Sequence, residues 1–196
     1  MRETLVISFF THDTPYEEEA ERLRASCKAF QIKHHIEGVP SRGSWLKNVA
    51  MKPQFIYEKL IEFQRPLFWV DADGAFKMKP QFEQFYPFDL AVREVPTHRN
   101  DRWLKLAASS IFFNSTPETI DFAKRWAERT VQKIDEDPVN LFFVDQTSLL
   151  EMIEGSPHLQ VGKLPLSYCK VFDDVQQCSE VVIEQYQASR RLIDLV

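Results

Sequence analysis

The stretch that most constrains this chain is Leu67 to Phe76, LFWVDADGAF, an apolar run that stops at two carboxylates one residue apart. Apolar sequence without alternation marks a strand covered on both faces, as in the parallel sheets of α/β proteins. Asp71 and Asp73 fall at its C-terminal end. In an open α/β sheet, ligands bind in the crevice outside the carboxyl ends of the strands. If the backbone stays extended, side chains two positions apart point the same way, so the pair can hold one hard cation. Mg²⁺ and Mn²⁺ favour oxygen ligands, and Mg²⁺ commonly takes one or two carboxylates together with substrate phosphates. The competing reading is that the acids, with Gly74, only open a turn.

Around this run, strand patterns alternate with helix patterns. Thr4 to Phe10 reads as a strand, and the loop after it leads to a helix ending near Phe30. Thr14 and Glu17 have capping-box spacing, with Pro15 at the first helical position. Ile32 to Val39 reads as a second strand, VPSRGSW as a loop, and Pro53 to Phe63 as a helix. After the acids, KMKPQFEQFYPF is irregular. Leu90 to Val95 and Ser110 to Phe113 read as strands separated by the basic loop Pro96 to Leu106, which carries His98, Arg99 and Arg102. Thr116, Pro117 and Thr119 open a helix with Ile120, Ala123, Ala127, Val131 and Ile134 at helical spacing, and Pro138 closes it. A last helix runs from Asp145, a candidate N-cap, to Glu154. Such alternation predicts one α/β domain over residues 1–196, with a mostly parallel central sheet flanked by helices.

Composition removes several classes. The formal net charge of -5 argues against a nucleic-acid partner, which requires a basic face. Three cysteines, none in CxxC spacing, indicate neither a disulfide framework nor a zinc site and suggest a reducing, cytoplasmic setting. The five histidines show no metal-ligand spacing. No stretch approaches the twenty apolar residues of a transmembrane helix, so we expect no transmembrane segment, with peripheral membrane association left open. The N-terminal MRETLVISFF is too short for a span and lacks a small-residue cleavage site.

Taken together, these segments resemble a small GT-A-type glycosyltransferase, a nucleotide-diphospho-sugar transferase with a Rossmann-like fold. FFTHDTPY is similar to the loop that forms the nucleotide-base pocket of that family. WVDADGAF, preceded by the helix start KPQFI, resembles the family's Asp-x-Asp strand. AASSIFFNST, with the Trp126 helix after it, is similar to the segment lining the sugar and acceptor side. FFVDQTSLL resembles the Asp-Gln turn before a late helix, and LPLSYC the short strand after it. In IEQYQASRR, Gln185 stands where the family often has a metal-binding His.

The resemblance implies a nucleotide-sugar donor, UDP-linked, a Mn²⁺ or Mg²⁺ cofactor, and a saccharide, protein or lipid acceptor. Asp71, Asp73 and Gln185 would be the metal ligands. Phe10, Thr11, Asp13, Tyr16, Trp45 and Asp71 would meet the nucleotide, with Lys52, Arg190 and Arg191 on the diphosphate. Asp145 and Gln146 would face the reacting centre. On physical grounds, a departing diphosphate needs a cation or basic groups to take up its charge. Lys52, Arg190 and Arg191 also read as solvated surface charge, and Tyr16 and Trp45 as rings capping the domain edge. Two alternatives stand beside this reading. VDADGAF also resembles the first motif of haloacid-dehalogenase-like phosphatases, with Asp71 as nucleophile and Asp73 as acid/base. The missing His also admits a catalytically inactive nucleotide-sugar-binding protein.

Overall fold

The computed structural model describes residues 3–95, 105–137 and 143–192, the side chains of 191 and 192 excepted. In chain order the elements are β1 (Leu5–Thr11), α1 (Tyr16–Ala29), β2 (His34–Val39), α2 (Trp45–Val49), α3 (Lys52–Phe63), β3 (Leu67–Val70) and β4 (Gly74–Phe76). There follow β5 (Leu90–Glu94), β6 (Leu106–Phe113), α4 (Pro117–Glu136), α5 (Val144–Glu154), β7 (Val161–Lys163), β8 (Lys170–Val171), β9 (Ile183–Gln185) and α6 (Ser189–Leu192). The main sheet has the order β2-β1-β3-β6-β5-β7. It is mostly parallel, with β6 antiparallel to both β3 and β5.

Alternating side chains feed two cores. Leu5, Ile7, Leu67 and Trp69 pack with Phe55 and Leu60 of α3 and Phe122 and Trp126 of α4. Val6, Phe10, Phe68 and Val70 pack on the other face with Ala20, Leu23 and Cys27 of α1. β3 is buried along its whole length, which is why its sequence shows no polar alternation.

Several local expectations shift. The capping box before α1 is displaced by one residue: Glu17 Oε1 accepts from the N–H of Asp13 at 2.8 Å, and Thr14 Oγ1 from that of Tyr16 at 3.3 Å. The end of the VPSRGSW loop starts a helix, α2, because Ser44 caps it by accepting from the Lys47 N–H. Helix α4 opens at Thr116 as its sequence indicates. Its buried stripe takes in the expected Ala123 and Ala127 together with Phe122, Trp126 and Thr130, and leaves Val131 57% exposed. Pro138 and the loop residues His98, Arg99 and Arg102 lie outside the described residues.

The acids do not continue β3 as extended backbone. Gly74 N–H donates to the Asp71 carbonyl at 2.8 Å, so Asp71 to Gly74 is a turn, and β4 leaves it to join a second sheet, β4-β9-β8. A β-carbon on Gly74 would lie 2.6 Å from Val70 Cγ1 and 3.1 Å from Gln185 Oε1, so the chain needs glycine where it turns away from β3. Asp-Ala-Asp-Gly is therefore a turn, and the turn carries both acids into a cleft.

Candidate active site

The cleft opens where β1 and β3 end, the position expected for a ligand in an α/β sheet. It is a cavity of about 220 Å³. Phe10 and Thr11 line it from the end of β1, Tyr16 from α1, Trp45 from α2 and Lys52 from α3. Asp71 and Asp73 reach it from the turn, and Asp145 and Gln146 from the first turn of α5. Nine of the residues singled out in the sequence thus converge, from segments far apart in the chain.

Lys52 organises the floor. It is 5% exposed, and its Nζ lies 2.6 Å from Asp145 Oδ2 and 2.9 Å from Asp71 Oδ1, with a hydrogen bond of 3.2 Å to the Ala108 carbonyl. Burial works to lower its pKa, but the charges of Asp145 and Asp71 outweigh burial and the ammonium is held above its ordinary value. Lys52 is therefore not solvated surface charge. Its ammonium is committed to two carboxylates, Asp71 and Asp145. Asp145 is no N-cap: Phe143 stands at that position, and Asp145 lies inside α5.

Asp71 is fixed further by Trp69, whose Nε1–H donates to Oδ1 at 2.8 Å, and its own N–H donates to the Ser109 carbonyl at 2.9 Å. Asp73 is 8% exposed and Oδ2 accepts from the Ala188 N–H at 2.6 Å. Burial and then the charge of Asp71 push the Asp73 carboxyl up to about 6. The Tyr16 hydroxyl accepts from Trp45 Nε1–H at 3.0 Å, joining the two aromatic candidates into one wall. Burial, with Asp73 adding to it, raises the Tyr16 pKa.

A divalent cation fits two of these residues. Asp71 Oδ2 and Asp73 Oδ1 take no hydrogen bond from the described residues, and a cation between them relieves the repulsion that raises Asp73. No group of three or more His, Cys, Asp or Glu gathers among the described residues. Two carboxylates with substrate phosphates still meet the needs of Mg²⁺.

Other candidates lie apart. Gln185 is fully buried, its Nε2 donates to the Ser109 carbonyl at 3.1 Å and Ser110 Oγ at 3.0 Å, and it is not on the cavity wall. Its Oε1 has no partner. Arg190 pairs with Asp173 at 2.5 Å and is not on the cavity wall, and the Arg191 side chain lies outside the described residues. Asp13 is not on the cavity wall, and its N–H donates to Glu17 Oε1. Sequence reasoning missed Trp69, Phe143, Val171 and Gln187, all of which line the cavity. Trp69 reads as core, and the other three sit in short loops or a two-residue strand without periodicity.

No family model matches the sequence, and no curated protein matches it. Solved structures do match. One is a glycosyltransferase involved in glycosylation of the major capsid of PBCV-1, at 13% identity and a TM-score of 0.67, with 95% of this chain and 93% of that one covered. The fold is that of a glycosyltransferase. A second match is the apo form of the glycosyltransferase GlyE of Streptococcus pneumoniae TIGR4, at 11% identity and a TM-score of 0.63. That match takes in 95% of this chain and 55% of GlyE. These neighbours lend nothing to the phosphatase alternative. In this glycosyltransferase fold, the cavity lies at the strand ends where Asp71 and Asp73 stand. No helix among the described residues is long and apolar enough to cross a membrane.

Proposed function

We propose that the chain is a metal-dependent, GT-A-type glycosyltransferase that takes a nucleotide-sugar donor, a UDP-sugar, and transfers the sugar to an acceptor. The observation that carries this reading is the charge of the cleft. Three carboxylates, Asp71, Asp73 and Asp145, face one ammonium, Lys52, which is already paired. A diphosphate entering such a wall is repelled unless a cation comes with it.

Asp71 and Asp73 would hold Mn²⁺ or Mg²⁺, which when bound takes up the negative charge of the leaving diphosphate. Gln185 is left outside this set, because its amide braces β9 against β6 instead. Tyr16 and Trp45 offer aromatic faces to the base, with Phe10 and Thr11 beside them. Asp145, held in place by Lys52, faces the reacting centre, and Gln146 orients the groups that meet there.

The test is turnover without an acceptor. UDP-glucose, UDP-galactose and UDP-N-acetylglucosamine are each incubated with the protein and Mn²⁺, and slow release of UDP is followed. Release from one of them that stops with chelator and in Asp73→Asn supports the reading. Release indifferent to both contradicts it, and donor binding without release assigns the inactive, binding-only role.

A further inference from the structure

Five non-glycine residues among those described have a left-handed backbone: Asp13, Gln31, Gln64, Phe143 and Gln187. Gln31 and Gln64 stand where the chain leaves α1 and α3, the usual place for this conformation, and Asp tolerates it. Phe143, with φ 56°, and Gln187, with φ 52°, have neither excuse, and both line the cavity. Backbone held against preference at a site is a pointer to function.

Gln187 is locked by the site itself, and Phe143 by the start of α5. The N–H groups on either side of Gln187 are bound by Asp73: Tyr186 N–H to its carbonyl at 3.1 Å and Ala188 N–H to its carboxylate at 2.6 Å. The Phe143 carbonyl accepts from Thr147 N–H at 2.8 Å in the first turn of α5, two residues before Asp145. Phe143 is 42% exposed where it lines the cavity, whereas Asp73 on the same wall is buried.

We propose that Phe143 and Gln187 form the acceptor subsite and that the acceptor is a neutral saccharide; this rests on the donor reading above. A pyranose ring presents an apolar C–H face to an aromatic ring and hydroxyls to amides, which both donate and accept. Phe143 supplies the first surface and Gln187 the second, with Gln146 on the same wall. An anionic acceptor finds only carboxylates and the committed ammonium of Lys52 on the described wall. An alkyl chain gives the Gln187 amide nothing to bond.

The experiment is saturation-transfer NMR with the methyl β-glycosides of glucose, galactose and N-acetylglucosamine, recorded with UDP and Mn²⁺ present. UDP binding by the wild-type protein is measured separately by calorimetry. We expect transfer to the ring protons of at least one glycoside, a tenfold or greater loss in Phe143→Ala, and retention in Phe143→Trp, with circular dichroism confirming that both variants fold. Transfer undiminished in Phe143→Ala, or absent for all three glycosides from a protein that binds UDP, overturns the subsite alone. A wild-type protein that takes up no UDP overturns the donor reading and the acceptor role with it.

Discussion

The ammonium of Lys52 sits 2.6 Å from the carboxylate of Asp145, both nearly closed to solvent, joining the start of α3 to the first turn of α5 beneath the cleft. Removing one partner of a buried ion pair strands the other charge, at about 3–5 kcal/mol. Lys52→Met should therefore lose about that much stability in urea unfolding. The double variant Lys52→Met/Asp145→Leu should recover part of it, because no unpaired charge remains at the α5 end. Additive losses in the two single variants and the double would argue against a coupled pair.

Asp73 gives the apo protein an unusual pH dependence. Its folded pKa, about 6, lies above the ordinary 3.8 because of burial and Asp71. A raised pKa in an acid means that the folded state binds the proton more tightly. Its contribution is then complete below about pH 4 and disappears as pH rises through 6, on the order of 3 kcal/mol. In chelator, Asp73→Asn should be the more stable protein at pH 7.5 and close to wild type at pH 4, since an Asn oxygen still accepts from Ala188. Thermal unfolding at the two pH values checks the sign.

How much of this was legible depended on whether the signal was local. The β3 strand was readable because burial on both faces makes every residue apolar, and α4 because Thr116 and Pro117 mark its start. The reversed direction of β6 was not, since side-chain alternation is the same in either direction. Nor was the sheet β4-β9-β8, whose strands of two or three residues are too short to show a period. Lys52 was readable as a candidate but not as a buried group, because its partners Asp71 and Asp145 reach it only after the sheet has formed.

Gly74 should tolerate no side chain. An added β-carbon meets Val70 Cγ1 at 2.6 Å, and both lie where the turn leaves β3. Gly74→Ala should cost about 1–3 kcal/mol, the usual range for overpacking, and should weaken Mn²⁺-dependent nucleotide binding by displacing Asp73. Chemical unfolding and calorimetry on the same preparation separate the two effects.

Gln185 separates a brace from a ligand. With Nε2 on Ser109 and Ser110 and no place on the cavity wall, it should contribute little to the metal. Gln185→His should leave Mn²⁺ affinity within about twofold, or 0.4 kcal/mol. A tenfold gain would return Gln185 to the metal site.

The most direct measurement is calorimetric titration of UDP into the protein with Mn²⁺, with chelator, and into the Asp71→Asn/Asp73→Asn variant with Mn²⁺. The account predicts binding in the first case and none in the other two, with the variant still folded by circular dichroism. Equal binding with chelator, or equal binding by the variant, would contradict a site in which the two aspartates hold a cation for the diphosphate.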